Sequence, residues 1–171
     1  MILAIDVAYQ DSRACIAGVL FKHWDSPEPE QVLSLMLDGV ADYQPGAFYL
    51  RELPCITRLL AAVKQPLSAI VIDGYVQLGQ DQHAGLGLHL WHSLNKQVPV
   101  IGVAKTWFKD TPENCQLLRG KSNTPLYVTA AGMDLTEAKT HIASMAGQHR
   151  IPTLLKLVDQ QCRAGISSLL V

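Results

Sequence analysis

The chain has 171 residues, of which 49% are hydrophobic and 17% are charged, and this balance excludes an intrinsically disordered protein. Its formal net charge of −1 excludes the strong positive excess of proteins that coat nucleic acid non-specifically, although it is compatible with a local basic groove. No apolar run approaches the roughly 20 residues that span a bilayer. Length and composition therefore predict one globular domain over residues 1–171.

The N-terminus and the cysteines indicate the compartment. The chain enters an apolar strand-like run at once, without the basic segment, apolar region and cleavage site of a secretory signal. Four cysteines are far apart and form no C-x-x-C pair, so free thiols are favoured over a zinc site or a disulfide framework: Cys15, Cys55, Cys115 and Cys162. Together these features predict a cytoplasmic protein.

The first forty residues predict three β-strands. Residues 1–9, 13–21 and 31–40 are mostly apolar, and turn-forming residues separate them. From Leu53 onward the apolar residues recur at helical spacing instead. Because proline is tolerated in the first turn of a helix, Pro54 predicts that this helix begins near Glu52.

The rest of the chain alternates between strand and helix patterns. Strands are predicted at 68–73, 98–104 and 126–130, and helices near 85–96, 135–147 and 152–164. Three strands followed by this alternation predict an α/β fold with a mixed sheet, antiparallel among the first strands and parallel among the later ones.

Two of the predicted strands end in an acid. "MILAIDVAY" places Asp6 after an apolar run, and "AIVIDGY" does the same for Asp73. If the two strands are parallel neighbours, both acids lie at one edge of the sheet, where ligands bind in such folds. Carboxylates so close repel each other unless a cation lies between them, and oxygen ligands suit Mg²⁺ or Mn²⁺. Each acid taken singly is equally compatible with a turn or a helix cap.

Other residues have both a functional and a structural interpretation. Glu52, at the start of its predicted helix, is either a third metal ligand or a favourable acid near a helix N-terminus. Tyr43, before the turn at Pro45 and Gly46, could wedge into a base stack, although packing on a neighbouring loop is commoner. His89 and His92 lie one helical turn apart, and partly buried packing is favoured over metal binding as their role. A loop of mixed charge is favoured over a basic groove for four further residues: Lys105, Lys109, Arg119 and Lys121.

Six stretches together resemble endonuclease V, a family of RNase H-like nucleases that cut nucleic acid near inosine. They are "DVAY" (6–9), "YQPGAFYLRE" (43–52), "VIDGY" (71–75), "GLGLH" (85–89), "VPVIGVAKT" (98–106) and "PLYVTAAGMDLTEA" (125–138). The resemblance implies an RNase H-like fold and Mg²⁺- or Mn²⁺-dependent cleavage of DNA or RNA. By this resemblance the metal-binding carboxylates are Asp6, Glu52 and Asp73, the lysine after "GVA" is Lys105, and the wedge is Tyr43 with Pro45 and Gly46.

The sequence also departs from the family pattern. No His-Pro-Arg triplet follows "VIDGY", and Ala130 and Ala131 stand where a Gly-His pair is expected. Asp134 could supply another metal-binding carboxylate, although "DLTE" (134–137) favours a helix cap. These departures keep open an alternative of a different class, a catalytically inactive RNase H-like protein that binds nucleic acid or serves as a scaffold.

Overall fold

The structure is a computed structural model that describes residues 1–42, 44 and 47–167. The strands within these residues are β1 Ile2–Gln10, β2 Arg13–Phe21, β3 Gln31–Leu37, β4 Ala69–Asp73, β5 Gln77–Leu78, β6 His83–Ala84, β7 Val100–Ala104, β8 Gln116–Leu117 and β9 Leu126–Ala131. The helices are α1 Tyr49–Ala62, α2 Leu86–Ser93, α3 Leu135–Ser144 and α4 Thr153–Ser167. None of the helices in the described part of the chain is both long and apolar enough for a membrane span.

Seven strands form one mixed sheet in the order β3-β2-β1-β4-β7-β9-β8. Strands β1, β2 and β3 form the predicted antiparallel meander, and β1, β4 and β7 run parallel to one another. The predicted mixed α/β fold is therefore confirmed. The last long strand differs, because β9 pairs antiparallel with β7. The link from 105 to 125 contains a 3₁₀ turn and β8 but no α-helix, so it does not make the crossover that a parallel neighbour requires.

The two faces of the sheet carry separate cores. On one face α1 and α2 pack over strand residues that include Leu3, Ile5 and Ile70. On the other face α3 and α4 pack over the alternate residues, such as Ala4 and Val71. Because side chains alternate between faces along a strand, burial on both faces explains the continuous apolar runs seen in the sequence.

Helix α1 begins earlier than predicted. It starts at Tyr49, so Pro54 is its sixth residue and lies beyond the first turn. Proline has no N–H for the Leu50 carbonyl and costs one helical hydrogen bond there. Burial of Ile56 and Leu59 on the sheet offsets that loss. Glu52 still lies in the first turn of the helix.

A close backbone crossing fixes the loop that follows β4. A Cβ atom on Gly102 of β7 would lie 2.5 Å from the Gly74 carbonyl oxygen and 2.8 Å from the Thr129 hydroxyl oxygen. The Val76 N–H donates to that same hydroxyl at 2.8 Å. The absence of a side chain at Gly102 therefore allows the chain to turn tightly just after Asp73.

Candidate functional site

Three carboxylates converge where the parallel pairing of β1 with β4 stops. Asp73 ends β4 as predicted, but the prediction that the first strand ends at Asp6 is wrong, because β1 continues to Gln10 in its pairing with β2. Asp6, Asp73 and Asp159 each offer an oxygen atom, and these atoms all lie within 4.8 Å of one another. We call these three residues the acidic cluster. Asp6 and Asp73 directly follow the paired residues Ile5 and Ile72 of the parallel strands β1 and β4. The predicted convergence of Asp6 and Asp73 is thus confirmed as geometry.

Strand alternation explains why a residue of α4 joins the first two acids. Asp6 shares its face of the sheet with Ala4, and Asp73 shares its face with Val71, and both of these residues belong to the core under α3 and α4. Helix α4 crosses that face and supplies Asp159. The sequence analysis missed Asp159, because the strand-end signal does not apply to a helix. A signal was available: Asp159 follows Val158, a buried residue of α4.

Asp6 carries much of the electrostatic cost of the cluster. Its side chain is 8% exposed, and burial, followed by the neighbouring charge of Asp73, raises the pKa of Asp6 from 3.8 to about 7. One hydrogen bond from the Val7 N–H, at 2.8 Å, favours the ionised form but does not outweigh these effects. A cation bound beside Asp6 would offset this cost.

Two basic side chains contact the acidic cluster from outside the sheet. Lys105, immediately after β7, places its Nζ 2.6 Å from Asp73 Oδ2 and 3.7 Å from Asp159 Oδ1. Burial lowers the pKa of Lys105, but its hydrogen bond to Asp73 and the surrounding carboxylates more than reverse this, so the pKa is raised. Arg163, one turn along α4, donates from Nε to Asp159 Oδ1 at 3.0 Å.

Glu52 approaches the same edge from the other layer. It lies on α1, which covers the opposite face of the sheet, and it is 5% exposed. Burial raises the pKa of Glu52 well above its usual range, and the charges of Asp6 and Asp73 raise it further. Glu52 is therefore within electrostatic reach of the cluster, although the three oxygens that meet within 4.8 Å are those of Asp6, Asp73 and Asp159.

The acidic cluster fits a hard divalent cation. Its donors are carboxylate oxygens, the ligands that Mg²⁺ and Mn²⁺ prefer. Fully ionised, the three acids carry three negative charges, while Lys105 and Arg163 supply two positive ones. The pKa of Asp6 is nevertheless raised, chiefly by burial and then by the charge of Asp73, and a bound cation would favour its ionised form.

Asp134 does not join the acidic cluster. Its side chain caps α3, accepting hydrogen bonds from the N–H groups of Thr136 at 2.8 Å and Glu137 at 3.2 Å. The predicted cap is thus confirmed, and Asp134 is not among the carboxylates that meet at the acidic cluster. The reason is the direction of β9, whose carboxyl end lies at the sheet edge away from Asp73.

The strand register also shows how far Ala131, where a histidine is expected from the resemblance, lies from Asp73. Ala131 pairs with Val100, whereas Asp73 pairs with Val103, three residues further along β7. Three residues of strand correspond to about 10 Å. Ala131 therefore lies along the sheet away from the acidic cluster.

The remaining predicted residues lie elsewhere or outside the described part. Tyr43, Pro45 and Gly46 fall outside the described residues. His89 stacks on Tyr49 with ring centroids 3.7 Å apart and planes 15° apart, so α2 uses it to pack against α1. His92 is exposed. The packing interpretation of the histidines is confirmed for His89.

Two grooves lead away from the acidic cluster. One, of about 580 Å³, is lined by Asp6, Asp73 and Asp159 together with Tyr9 of β1. The other, of about 390 Å³, has mostly basic lining side chains: Lys105, His149, Arg150, Lys156 and Arg163. Asp159 and Arg163 line both, so the two grooves adjoin at the cluster. We call the second one the basic groove.

Known proteins resemble this chain in both sequence and fold. The family model described as Endonuclease V matches residues 1–127. An endonuclease V of Pyrococcus horikoshii is 29% identical over 170 residues, covering 96% of this chain and 74% of the relative.

Solved structures extend the likeness to the fold. Human ENDOV has a TM-score of 0.79 at 20% identity and covers 99% of this chain and 85% of its own. A Ciona intestinalis endonuclease V, in complex with a 24mer DNA containing an inosine followed by a ribo-adenosine, has a TM-score of 0.81 at 18% identity and covers 98% and 86%. These neighbours confirm the RNase H-like fold. Since the family model spans about three quarters of the residues, the chain belongs to the endonuclease V family of nucleases.

Proposed function

We propose that this protein is a divalent-metal-dependent endonuclease that cleaves phosphodiester bonds near deaminated adenine (inosine) in DNA or RNA. The convergence of Asp6, Asp73 and Asp159 within 4.8 Å is the observation that carries the proposal. Membership of the endonuclease V family and the inosine-containing DNA bound by the Ciona relative support the choice of substrate.

The acidic cluster would hold the metal. Asp6, Asp73 and Asp159 offer the ligand oxygens, and Glu52, buried on the other layer of the same edge, would bind the ion directly or through a water molecule. A bound Mg²⁺ or Mn²⁺ activates water and stabilises charge on phosphate oxygens. Because a cation favours the ionised form of every carboxylate near it, its binding would release the proton that the raised pKa of Asp6 retains near neutral pH.

Lys105 would bind the phosphate that is attacked. Its ammonium group contacts Asp73 at 2.6 Å and points into the cluster from the end of β7. Once a divalent cation neutralises Asp73 and Asp159, that ammonium group can donate to a phosphate oxygen instead. Without metal, the hydrogen bond to Asp73 and the nearby carboxylates raise the pKa of Lys105, which keeps it charged.

The basic groove would guide the substrate strand to the cluster. Lys156, Asp159 and Arg163 lie three and four residues apart on one face of α4, so two cations flank the candidate metal ligand. Local positive charge of this kind binds phosphates even when the net charge of the protein is −1. Tyr43, with Pro45 and Gly46, would act as the wedge beside the flipped or unstacked base, as the family resemblance suggests.

A cleavage assay with matched oligonucleotides tests the proposal. Single- and double-stranded DNA and RNA, each with one inosine or with adenosine at the same position, are incubated with Mg²⁺, Mn²⁺ or EDTA. We expect metal-dependent cleavage of the inosine strand that Asp73→Asn abolishes. Binding of all oligonucleotides without cleavage under any metal would instead support the catalytically inactive alternative.

A further inference from the structure

The segment after β7, which begins with Lys105 of the site, presents aromatic side chains to solvent. Residues 105–109 read "KTWFK". Trp107 is 55% exposed and Phe108 is 42% exposed, whereas most other aromatic side chains of the described residues are more buried. Trp107 follows Lys105 by two residues, so their Cα atoms are at most about 7 Å apart. The backbone of Trp107 is therefore close to that of Lys105, whose ammonium group contacts Asp73.

The backbone on both sides of Trp107 is held in place. The Tyr75 hydroxyl donates to the Thr106 carbonyl at 2.8 Å and accepts from the Phe108 N–H at 3.2 Å. The Thr111 hydroxyl donates to the Phe108 carbonyl at 2.6 Å, which closes the turn. Tyr75 is itself two residues beyond Asp73, so the turn and the acidic cluster are attached to the same strand end.

The two aromatic side chains differ: the Phe108 ring lies against the Tyr75 ring, with centroids 6.0 Å apart, whereas Trp107 is the more exposed of the two. The hydrogen bonds of Tyr75 and Thr111 order the turn without burying the indole of Trp107, and burial would be the favourable outcome for so large an apolar group. Lys109, exposed two residues later, adds a positive charge to the same turn, and the exposed Asp110 follows it. Aromatic rings interspersed with cations, held rigidly at a surface, are typical of single-stranded nucleic acid binding sites.

We propose that Trp107 is a stacking platform for an unpaired nucleobase of the substrate strand next to the cleavage point, with Lys109 contacting the adjoining phosphate. This inference rests on the proposed nuclease function and specifies its substrate as single-stranded or locally opened nucleic acid. In a continuous duplex both faces of each base are covered by neighbouring base pairs, so the platform favours unpaired strands. Stacking uses the face of the base and is common to DNA and RNA.

Binding measured without cleavage tests the platform. Fluorescently labelled DNA and RNA oligonucleotides, single-stranded or in a blunt duplex, are titrated with the full chain in EDTA, so that catalysis is absent. We expect Trp107→Ala to weaken single-strand binding roughly 5-fold to 100-fold, with little change for the duplex. Trp107→Phe, which keeps an aromatic face, should retain most of the affinity. Val32→Ala on the remote edge strand β3, another exposed apolar residue, is the matched control and should change nothing.

An abasic scan locates the contact. An abasic nucleotide placed at each position in turn should weaken binding of the wild type most at one position near the inosine. In Trp107→Ala that loss should disappear, because the base and the indole act as one interacting pair. If the abasic profiles of the two proteins coincide, the proposal is overturned even when the wild type cleaves inosine-containing strands.

The outcomes separate this proposal from the proposed function. If an abasic nucleotide weakens binding only when Trp107 is present, and the protein cleaves no oligonucleotide, the platform would be supported while nuclease activity would be contradicted. Sedimentation of the protein without nucleic acid tests whether Trp107 contacts a second copy of the chain instead of a base. Self-association that Trp107→Ala abolishes, with unchanged oligonucleotide binding, would assign Trp107 to a contact between two copies of the chain and overturn the proposal.

Discussion

Asp73 and Asp134 have similar surroundings in the sequence but different positions in the structure. Each comes after an apolar run that forms a strand, β4 or β9. Asp73 ends β4 and joins Asp6 and Asp159, with their oxygens within 4.8 Å. Asp134 comes three residues after β9 and caps α3 through two backbone N–H groups. The direction of the strand separates the two acids, because β4 runs parallel to β1 whereas β9 runs antiparallel to β7.

The comparison shows that a strand-end acid indicates a site only when the strand direction is known. The carboxyl ends of parallel neighbours meet at one edge, but an antiparallel neighbour places its carboxyl end at the other edge. Loop 105–125 decides the direction of β9, and no residue near Asp134 reveals it. Substitutions of Asp73 should therefore affect cleavage, whereas substitutions of Asp134 should affect only the stability of the protein.

The largest effect is expected for Asp73→Asn. Removing the charge while keeping the shape should lower metal-dependent cleavage by about 10³-fold or more, because metal catalysis contributes several kcal/mol. Cleavage rates at saturating Mg²⁺, together with circular dichroism to verify folding, provide the measurement. Asp134→Asn is the matched control, since asparagine caps helices as well as aspartate does, and its rate should equal that of the wild type. Equal rates for both variants would contradict the assignment of Asp73.

Asp159→Asn tests the acid that the helix supplies. We expect cleavage to fall by about 10²-fold, with weaker apparent affinity for Mg²⁺, because one of three oxygen ligands loses its charge. Titrations of rate against Mg²⁺ and Mn²⁺ measure both effects. Arg163→Gln is the companion variant: it leaves Asp159 ionised but without its hydrogen bond at 3.0 Å, so the loss should be smaller. A wild-type rate and metal affinity for Asp159→Asn would exclude it from the metal site.

The metal-free protein should become less stable as the pH rises. The pKa of Asp6 is about 7 when folded and 3.8 as its ordinary value, so the folded state holds the extra proton between these values. Stability linked to Asp6 is thus complete below pH 4 and is lost as the pH rises through 7, by up to about 2 kcal/mol between pH 5.5 and 7. Urea unfolding in EDTA at several pH values measures it.

Asp6→Asn removes the titration of Asp6 together with its contribution to the raised pKa of Glu52, which has the same sign. Burial lowers the pKa of His89, which gives a pH dependence of the opposite sign, and the variant leaves this unchanged. The difference between wild type and variant should therefore grow with pH, with Asp6→Asn the more stable protein at pH 8 without metal. Saturating Mg²⁺ should remove the advantage of the variant. A difference that stays constant with pH would show that Asp6 has an ordinary pKa.

The smallest effect is expected for removal of the helix cap. Asp134→Ala leaves two N–H groups of α3 without a side-chain partner and should lower the free energy of unfolding by about 1 kcal/mol. Cleavage at a temperature well below the unfolding midpoint should stay at the wild-type rate. If the metal affinity of this variant differed from that of the wild type, the two edges of the sheet would be coupled.

Much of this protein could be read from the sequence because the signals are local. Period and turn residues predicted the meander and the later strands and helices, and the matching apolar runs before Asp6 and Asp73 predicted that these two acids converge, although β1 continues beyond Asp6. The capping pattern "DLTE" predicted the role of Asp134, because a cap is completed by N–H groups two and three residues away. Each of these inferences concerns groups close in sequence or two strands related by one parallel pairing.

The tertiary structure decided what depends on distant segments. Asp159 enters the acidic cluster because α4 crosses the face of the sheet that carries Asp6 and Asp73, and residue 159 lies beyond the segment that matches the family model. The antiparallel direction of β9 removed Ala131 and Asp134 from the site. Both outcomes follow from packing of whole elements, whose free energy is distributed over many apolar contacts and is not encoded in any short stretch of residues.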